Sequence, residues 1–158
     1  MRALGSSGFG RAADLGPLLM RVGIGSVFAW HGWLKFDGGV SNWADTLDSL
    51  NVPAPLVMAW VQIIAEGVGG VLLILGLFTR LAALALIVDM IGAIWLVKVD
   101  VGFIVSDAAG AELDVALLSG LLGLLFIGSG RLAFDAILGM ETSAVHLSSG
   151  ARRQRTAA

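Results

Sequence analysis

From Leu56 to Val97 the only formal charges are Glu66, Arg80 and Asp89, in a stretch otherwise dominated by leucine, valine, isoleucine, alanine and glycine. A membrane helix needs roughly 20 mostly apolar residues. This stretch is long enough for two, Leu56 to Leu77 and Leu81 to Val97, broken by a tight turn at Phe78, Thr79 and Arg80 that makes them an antiparallel hairpin. Leu15 to Leu34 and Leu113 to Ile127 are two further candidates. Asp14 is placed to cap the first helix, with Pro17 tolerated in its first turn. Pro53 and Pro55 stop any helix before the second. The expected fold is therefore all-α: an antiparallel up-down bundle of four transmembrane helices over residues 14–140, with 1–13 a cytoplasmic segment and 141–158 a disordered cytoplasmic tail.

Composition leaves little room for a soluble alternative. Only 14% of the 158 residues are charged and 57% are hydrophobic, with a mean hydropathy of +0.88, whereas soluble domains average about 25% charged. A net charge of −2 gives no reason to expect nucleic-acid binding. The chain has no cysteine, which excludes a disulfide, a thiol nucleophile and a cysteine-ligated cluster. It has no tyrosine either. No signal-peptide cleavage site follows the first apolar run.

Orientation follows from the basic residues. In a four-span arrangement Arg2, Arg11, Arg80, Arg131, Arg152, Arg153 and Arg155 fall on one side, and only Lys35 and Lys98 on the other. The positive-inside rule then puts both termini in the cytoplasm. Trp30, Trp33, Trp43, Trp60 and Trp95 gather at the opposite face as an aromatic belt. In "SNWADTLDSL", Trp43, Leu47 and Leu50 recur at helical spacing behind Ser41, a candidate N-cap, and predict a short amphipathic interfacial helix. A second such helix is expected over Arg131 to Leu138, with Arg131 and Asp135 spaced to pair.

The charges at membrane depth are the candidate site. Arg21 sits about 9 Å above the inner end of its span at 1.5 Å per residue, while Glu66 and Asp89 fall near the midplane. Each costs about 2.5–3.5 kcal/mol at a helix centre on insertion scales. All three are expected to turn inward and form one buried Arg21–Glu66–Asp89 cluster. Stripes of small and polar residues point the same way: Ala59, Gln62, Glu66, Gly69 and Gly70; Ala82, Ala85, Asp89, Gly92 and Ala93; Ala116, Ser119, Gly120 and Gly123. Arg21, Gly25, Phe28, His31 and Lys35 share one sector of the first helix. One cation against two acids is unbalanced, so one acid holds its proton or recruits Lys35 or His31. Such a set serves a proton-linked redox or transport site, and equally a static structural network. His31 beside tryptophans also fits a plain interfacial role, and Lys35 can simply snorkel. A haem held by two histidines lacks its second one, since His146 lies in the tail. The spacing of histidines and acids suits neither zinc nor a di-iron centre. The glycines of "EGVGGVLLILG" serve packing rather than a nucleotide.

Read in order, Arg21, Gly25, His31, Gly32 and Lys35, then Glu66, Gly69, Gly70, Gly76, Leu77, Thr79 and Arg80, then Gly128, Gly130, Arg131 and Asp135, the chain resembles the DoxX family from Asp14 to Leu138. The resemblance implies a four-helix protein of bacterial cytoplasmic membranes. The family includes a membrane subunit of thiosulfate:quinone oxidoreductase, and in mycobacteria members accompany a sulfurtransferase and a superoxide dismutase in thiol and oxidative stress. The leading expectation is thus a membrane oxidoreductase subunit. Glu66, Arg21 and Asp89 would be its catalytic set, and His31, Lys35, Trp30 and Gln62 a substrate or quinone pocket near the outer leaflet. No covalent cofactor and no metal are expected. A membrane quinone, the lipid bilayer, a soluble redox or sulfurtransferase partner and a second copy of the chain are the expected associations. A small proton-coupled carrier and an anchor or assembly factor for soluble redox enzymes are the alternatives.

Overall fold

The structure, a computed structural model, describes residues 15–98 and 111–140, and every element among them is helical. In chain order these are α1 (Leu15–Asp37), α2 (Val40–Ser49), α3 (Pro55–Leu75), α4 (Thr79–Ala93, continued by a π-helical turn Ile94–Lys98), α5 (Glu112–Ile127) and α6 (Phe134–Ile137). Asp14, the terminal arginines and the expected tail lie outside the described residues.

Two segments, Pro55–Leu75 and Thr79–Leu96, are long and apolar enough to cross a membrane, and only 33% of the most apolar window of each is buried within the protein. A soluble core helix would be covered; these present Val61, Ile64, Val68, Leu81, Val88 and Ile91 to the surroundings, as hydrocarbon solvent allows. The turn between them is set by Gly76, whose φ of +67° and ψ of +42° lie in the left-handed region that glycine enters without penalty. Its N–H bonds to the Leu73 carbonyl, and that of Leu77 to the Leu72 carbonyl, at 3.0 Å each, so the turn satisfies the last carbonyls of α3.

The most extensive helix pair is α1 with α3, and glycine is the reason. A Cβ on Gly32 would strike the backbone of Gly67, and one on Gly25 would come within 2.7 Å of the Gly70 carbonyl oxygen. Side chains at this seam would push the two backbones apart. The other helices close differently. Ala85, Ala116 and Ser119, expected inside, are exposed; the core is filled instead by Phe28, Leu73, Leu86, Ile87, Met90, Leu121 and Leu124. Ala82, on the expected stripe, and Ala83 are buried with them; Ala85, Ala116 and Ser119 lie on faces that the neighbouring helices leave uncovered.

The two interfacial helices are corrected in detail. α2 is amphipathic as expected, with Ala44 and Leu47 buried, but it starts behind Gly39 rather than Ser41 and has no side-chain cap. The inner-end helix is a single turn, Phe134–Ile137.

Candidate functional site

At one end of the α1/α3 seam, where Gly32 packs on Gly67, polar side chains from several helices meet. Lys35 lies one turn beyond Gly32 on α1, and its Nζ donates to Glu66 Oε1 on α3 at 2.5 Å. The same ammonium sits 4.6 Å from the centroid of the Trp43 ring on α2, within cation–π range. Trp43 Nε1–H donates in turn to Gln62 Oε1 at 2.8 Å. The Asp89 carboxyl, brought in by α4, interacts with Glu66, Lys35 and Gln62. Four helices thus contribute to one polar set, and α2 covers it from above.

Beside this set lies a cavity of about 250 Å³, with Lys35, Gln62, Glu66, Asp89, His31 and Asp114 in its wall. Phe28, Leu47, Met90 and Leu117 supply its apolar lining. Glu66 is buried, and Oε2 makes no well-formed hydrogen bond; Asp114 Oδ2 on α5 is in the same condition. His31 is exposed at the edge, its Nδ1–H donating to the Val27 carbonyl at 2.8 Å, which leaves Nε2 as an acceptor. Among the described residues, no group of three or more histidines, cysteines or acids could hold a metal ion.

The expected three-residue cluster does not form. Glu66 and Asp89 meet, but Arg21 belongs to a second polar centre at the other end of the seam. Gly32 packs on Glu66 and Gly67, and Arg21 lies eleven residues away along the same helix, about 16 Å at 1.5 Å per residue. Its guanidinium is buried, donates from Nη2 to the Leu132 carbonyl, and has Asp135 as its charged neighbour. Asp135, spaced to pair with Arg131, is engaged by the backbone at the start of α4. Its two oxygens accept the N–H groups of Phe78 and Thr79, at 2.7 and 2.9 Å, and its own N–H bonds to the Gly76 carbonyl at 2.9 Å. Asp135 thereby caps α4 from a remote segment, where a carboxylate meets both free N–H groups and the positive end of the helix dipole. A Cβ on Gly76 would collide with Arg21 Nη1. The arginine went down rather than up because the desolvated guanidinium finds a carbonyl and an acid within one side chain's reach there.

Trp30 is also corrected: it is 61% exposed and does not line the cavity, while Trp43, expected in the belt, does. Trp33, Phe36 and Trp60 do form a belt cluster, with ring centroids 6.2 and 6.3 Å apart. Sequence reasoning missed Trp43, Asp114 and Asp135 as polar-site members. The helical spacing of Trp43 with Leu47 was the available signal for the first of them.

An all-helical chain with an apolar exterior and an ionic cavity near one end defines a small helical membrane protein with an internal polar site. The comparisons give the lineage. The DoxX family model matches residues 16–99. An uncharacterized membrane protein of Mycobacterium tuberculosis, Rv3486, is 33% identical over 136 residues, covering 80% of this chain and 83% of its own. A Bacillus subtilis protein named "Putative oxidoreductase CatD" is 35% identical over 125 residues, covering 79% and 88%. The chain belongs to the DoxX family. No solved structure matches it.

Proposed function

We propose that this chain is a four-span subunit of a quinone-linked redox system in the bacterial cytoplasmic membrane, serving thiosulfate, thiol or oxidative-stress chemistry, with both termini in the cytoplasm. The observation that carries the reading is the Lys35–Glu66–Asp89 set in the wall of an otherwise apolar cavity. The naming of the Bacillus relative as an oxidoreductase supports the general class.

The residues fit a quinone head group. Lys35 has donors beyond the one it gives Glu66, and the Gln62 amide, its oxygen occupied by Trp43 and one N–H facing Asp89, has a second N–H to give. Both suit carbonyl oxygens, and Phe28, Leu47 and Met90 provide the apolar walls such ligands need. A bound quinone supplies the redox chemistry, taking up two electrons and two protons. Glu66 and Asp89 hold and hand on the protons: with one proton shared between the two acids, their single negative charge balances that of Lys35 and the set of three is neutral. His31, at the exposed edge, relays protons to the outer aqueous side. Electrons enter from a soluble redox or sulfurtransferase partner, or from a reduced sulfur compound. Arg21 has no place in this relay; it fixes the inner end.

Binding of a quinone analogue to the purified protein in lipid nanodiscs tests the reading. Glu66→Gln and Lys35→Met should each weaken binding by about tenfold or more, the size of one lost charge-assisted hydrogen bond. Unchanged binding in both variants, with the fold intact, refutes it. Absent quinone binding by the parent protein, together with retained capture of a soluble redox enzyme, would favour the anchor role.

A further inference from the structure

A second void lies on the outside of the bundle, between α3 and α4. It has a volume of about 550 Å³ and is almost wholly apolar, bordered by Val61, Ala65, Leu84, Ala85, Val88 and Gly92. Along α4 it runs from Leu81 to Leu96, about 22 Å at 1.5 Å per residue. Its residues face the surroundings: Val61 and Val88 are more than half exposed.

Two features separate it from an ordinary furrow between helices. Gln62, Asp89 and Leu96 line both this groove and the inner cavity, so the wall between bilayer and polar site is one side chain thick, and two of the three side chains in it are polar. An ionisable residue on a lipid-facing wall is costly unless something uses it. The second feature is Gly92. It lies inside a helix, where glycine is the weakest former after proline, yet a Cβ added there would meet nothing within 4 Å. Close packing, which explains Gly25, Gly32 and Gly70, does not explain this one. What it provides is an opening beside Asp89, two residues before the π-helical segment Ile94–Lys98.

We infer that the α3/α4 groove is the lateral entrance for a membrane amphiphile: a hydrogen-bonding head passes between Gln62 and Asp89 into the cavity while its hydrocarbon tail stays in the groove over Gly92. This rests on the quinone reading and adds to it the route, the tail site and a specificity for tailed over tail-less ligands. Asp89 then acts at the threshold, meeting the head group before Lys35 and Glu66 do. Lipid chains are the solvent at this surface, so a tail enters the groove without leaving hydrocarbon.

The test uses the full chain in nanodiscs and two probes with the same head group, decyl-ubiquinone and its tail-less dimethoxy-methyl-benzoquinone. Gly92→Leu fills the groove without a clash. It should weaken the tailed probe by about tenfold, the equivalent of about ten lost packing contacts, and leave the tail-less probe within about twofold; Phe126→Leu, on the exposed side of α5, should change neither. Equal loss of both probes, or loss of neither, overturns the inference while the quinone reading stands. If the parent protein binds neither probe, both fall. Because the chain has no cysteine, Val88→Cys introduces a single thiol; rapid disulfide-linked dimers in membranes would show the groove covered by a second copy and would also overturn the assignment.

Discussion

Asp135→Ala should be the most damaging single change at the inner end, and its size can be worked from what the carboxylate touches. The side chain is 1% exposed, accepts two N–H groups of the α4 terminus, and is the charged neighbour of buried Arg21. Losing a capping side chain costs about 0.5–2 kcal/mol. Leaving a buried charge without its partner costs about 3–5 kcal/mol. The two overlap, so a total of about 3–5 kcal/mol is expected. Arg21→Met should cost less, about 1–3 kcal/mol, because Asp135 without the arginine still has both N–H groups, whereas Arg21 without Asp135 keeps only the Leu132 carbonyl. Equilibrium unfolding by SDS titration in mixed micelles measures both, and the double variant should cost less than the sum of the singles. An Asp135→Ala cost below that of Arg21→Met would show that the aspartate is not the keystone of this end.

Other expectations separate packing from chemistry. Gly32→Ala should destabilise by about 1–3 kcal/mol through overpacking, since its Cβ meets the α3 backbone, whereas Gly23→Ala, with nothing within 4 Å, should be neutral or stabilise by about 0.5–1 kcal/mol; the same titration reads both. Trp43→Phe removes the bond to Gln62 and should cost about 1 kcal/mol, while Trp43→Ala also removes the ring over Lys35 and should show a larger loss in the same assay. Lys35→Met leaves Glu66 and Asp89 without a cation and should destabilise more than Glu66→Gln, which leaves Lys35 beside Asp89 and Trp43; the reverse order would argue against a shared set. For topology, Thr46→Cys should be labelled by an impermeant maleimide from outside intact cells, and Leu132→Cys only after permeabilisation.

Much of the fold was legible because apolar runs and their breakers are local signals. The proline-flanked start of α3 and the turn before Thr79 both fall within a residue or two of where the pattern put them. The stripes on α1 and α3 were legible for a related reason: small residues at helical spacing mark a close crossing. The same rule misled on α4 and α5, where Ala85, Ala116 and Ser119 are small but face out. Composition alone does not say which neighbour is near enough to require a small residue. The pairing of charges was the least legible, because it depends on height along the bundle and on distant segments. Arg21 had two acids in its own bundle and took a third, from beyond the last long helix.

The two polar centres at the ends of one glycine seam differ in a way that assigns their roles. At the Arg21 end Asp135 has both oxygens committed to backbone N–H groups, and Gly76 has no space for a side chain beside Arg21; Arg21 Nε and Nη1 and Thr79 Oγ1 are also buried there without a well-formed bond, and none of these residues lines the cavity. At the outer end Glu66 keeps a buried oxygen without a well-formed bond, and Asp114 does the same across the cavity. What sets this end apart is the void of about 250 Å³ beside these acceptors, where a ligand with donors of its own would satisfy them. Stabilisation by a bound ligand should therefore depend on Glu66 and not on Arg21. Stabilisation by a quinone analogue at about ten times its dissociation constant should fall by about 1 kcal/mol or more in Glu66→Gln and persist in Arg21→Met, measured as the shift in unfolding midpoint for each variant. Loss of the shift in Arg21→Met instead would show the two ends to be a single coupled site.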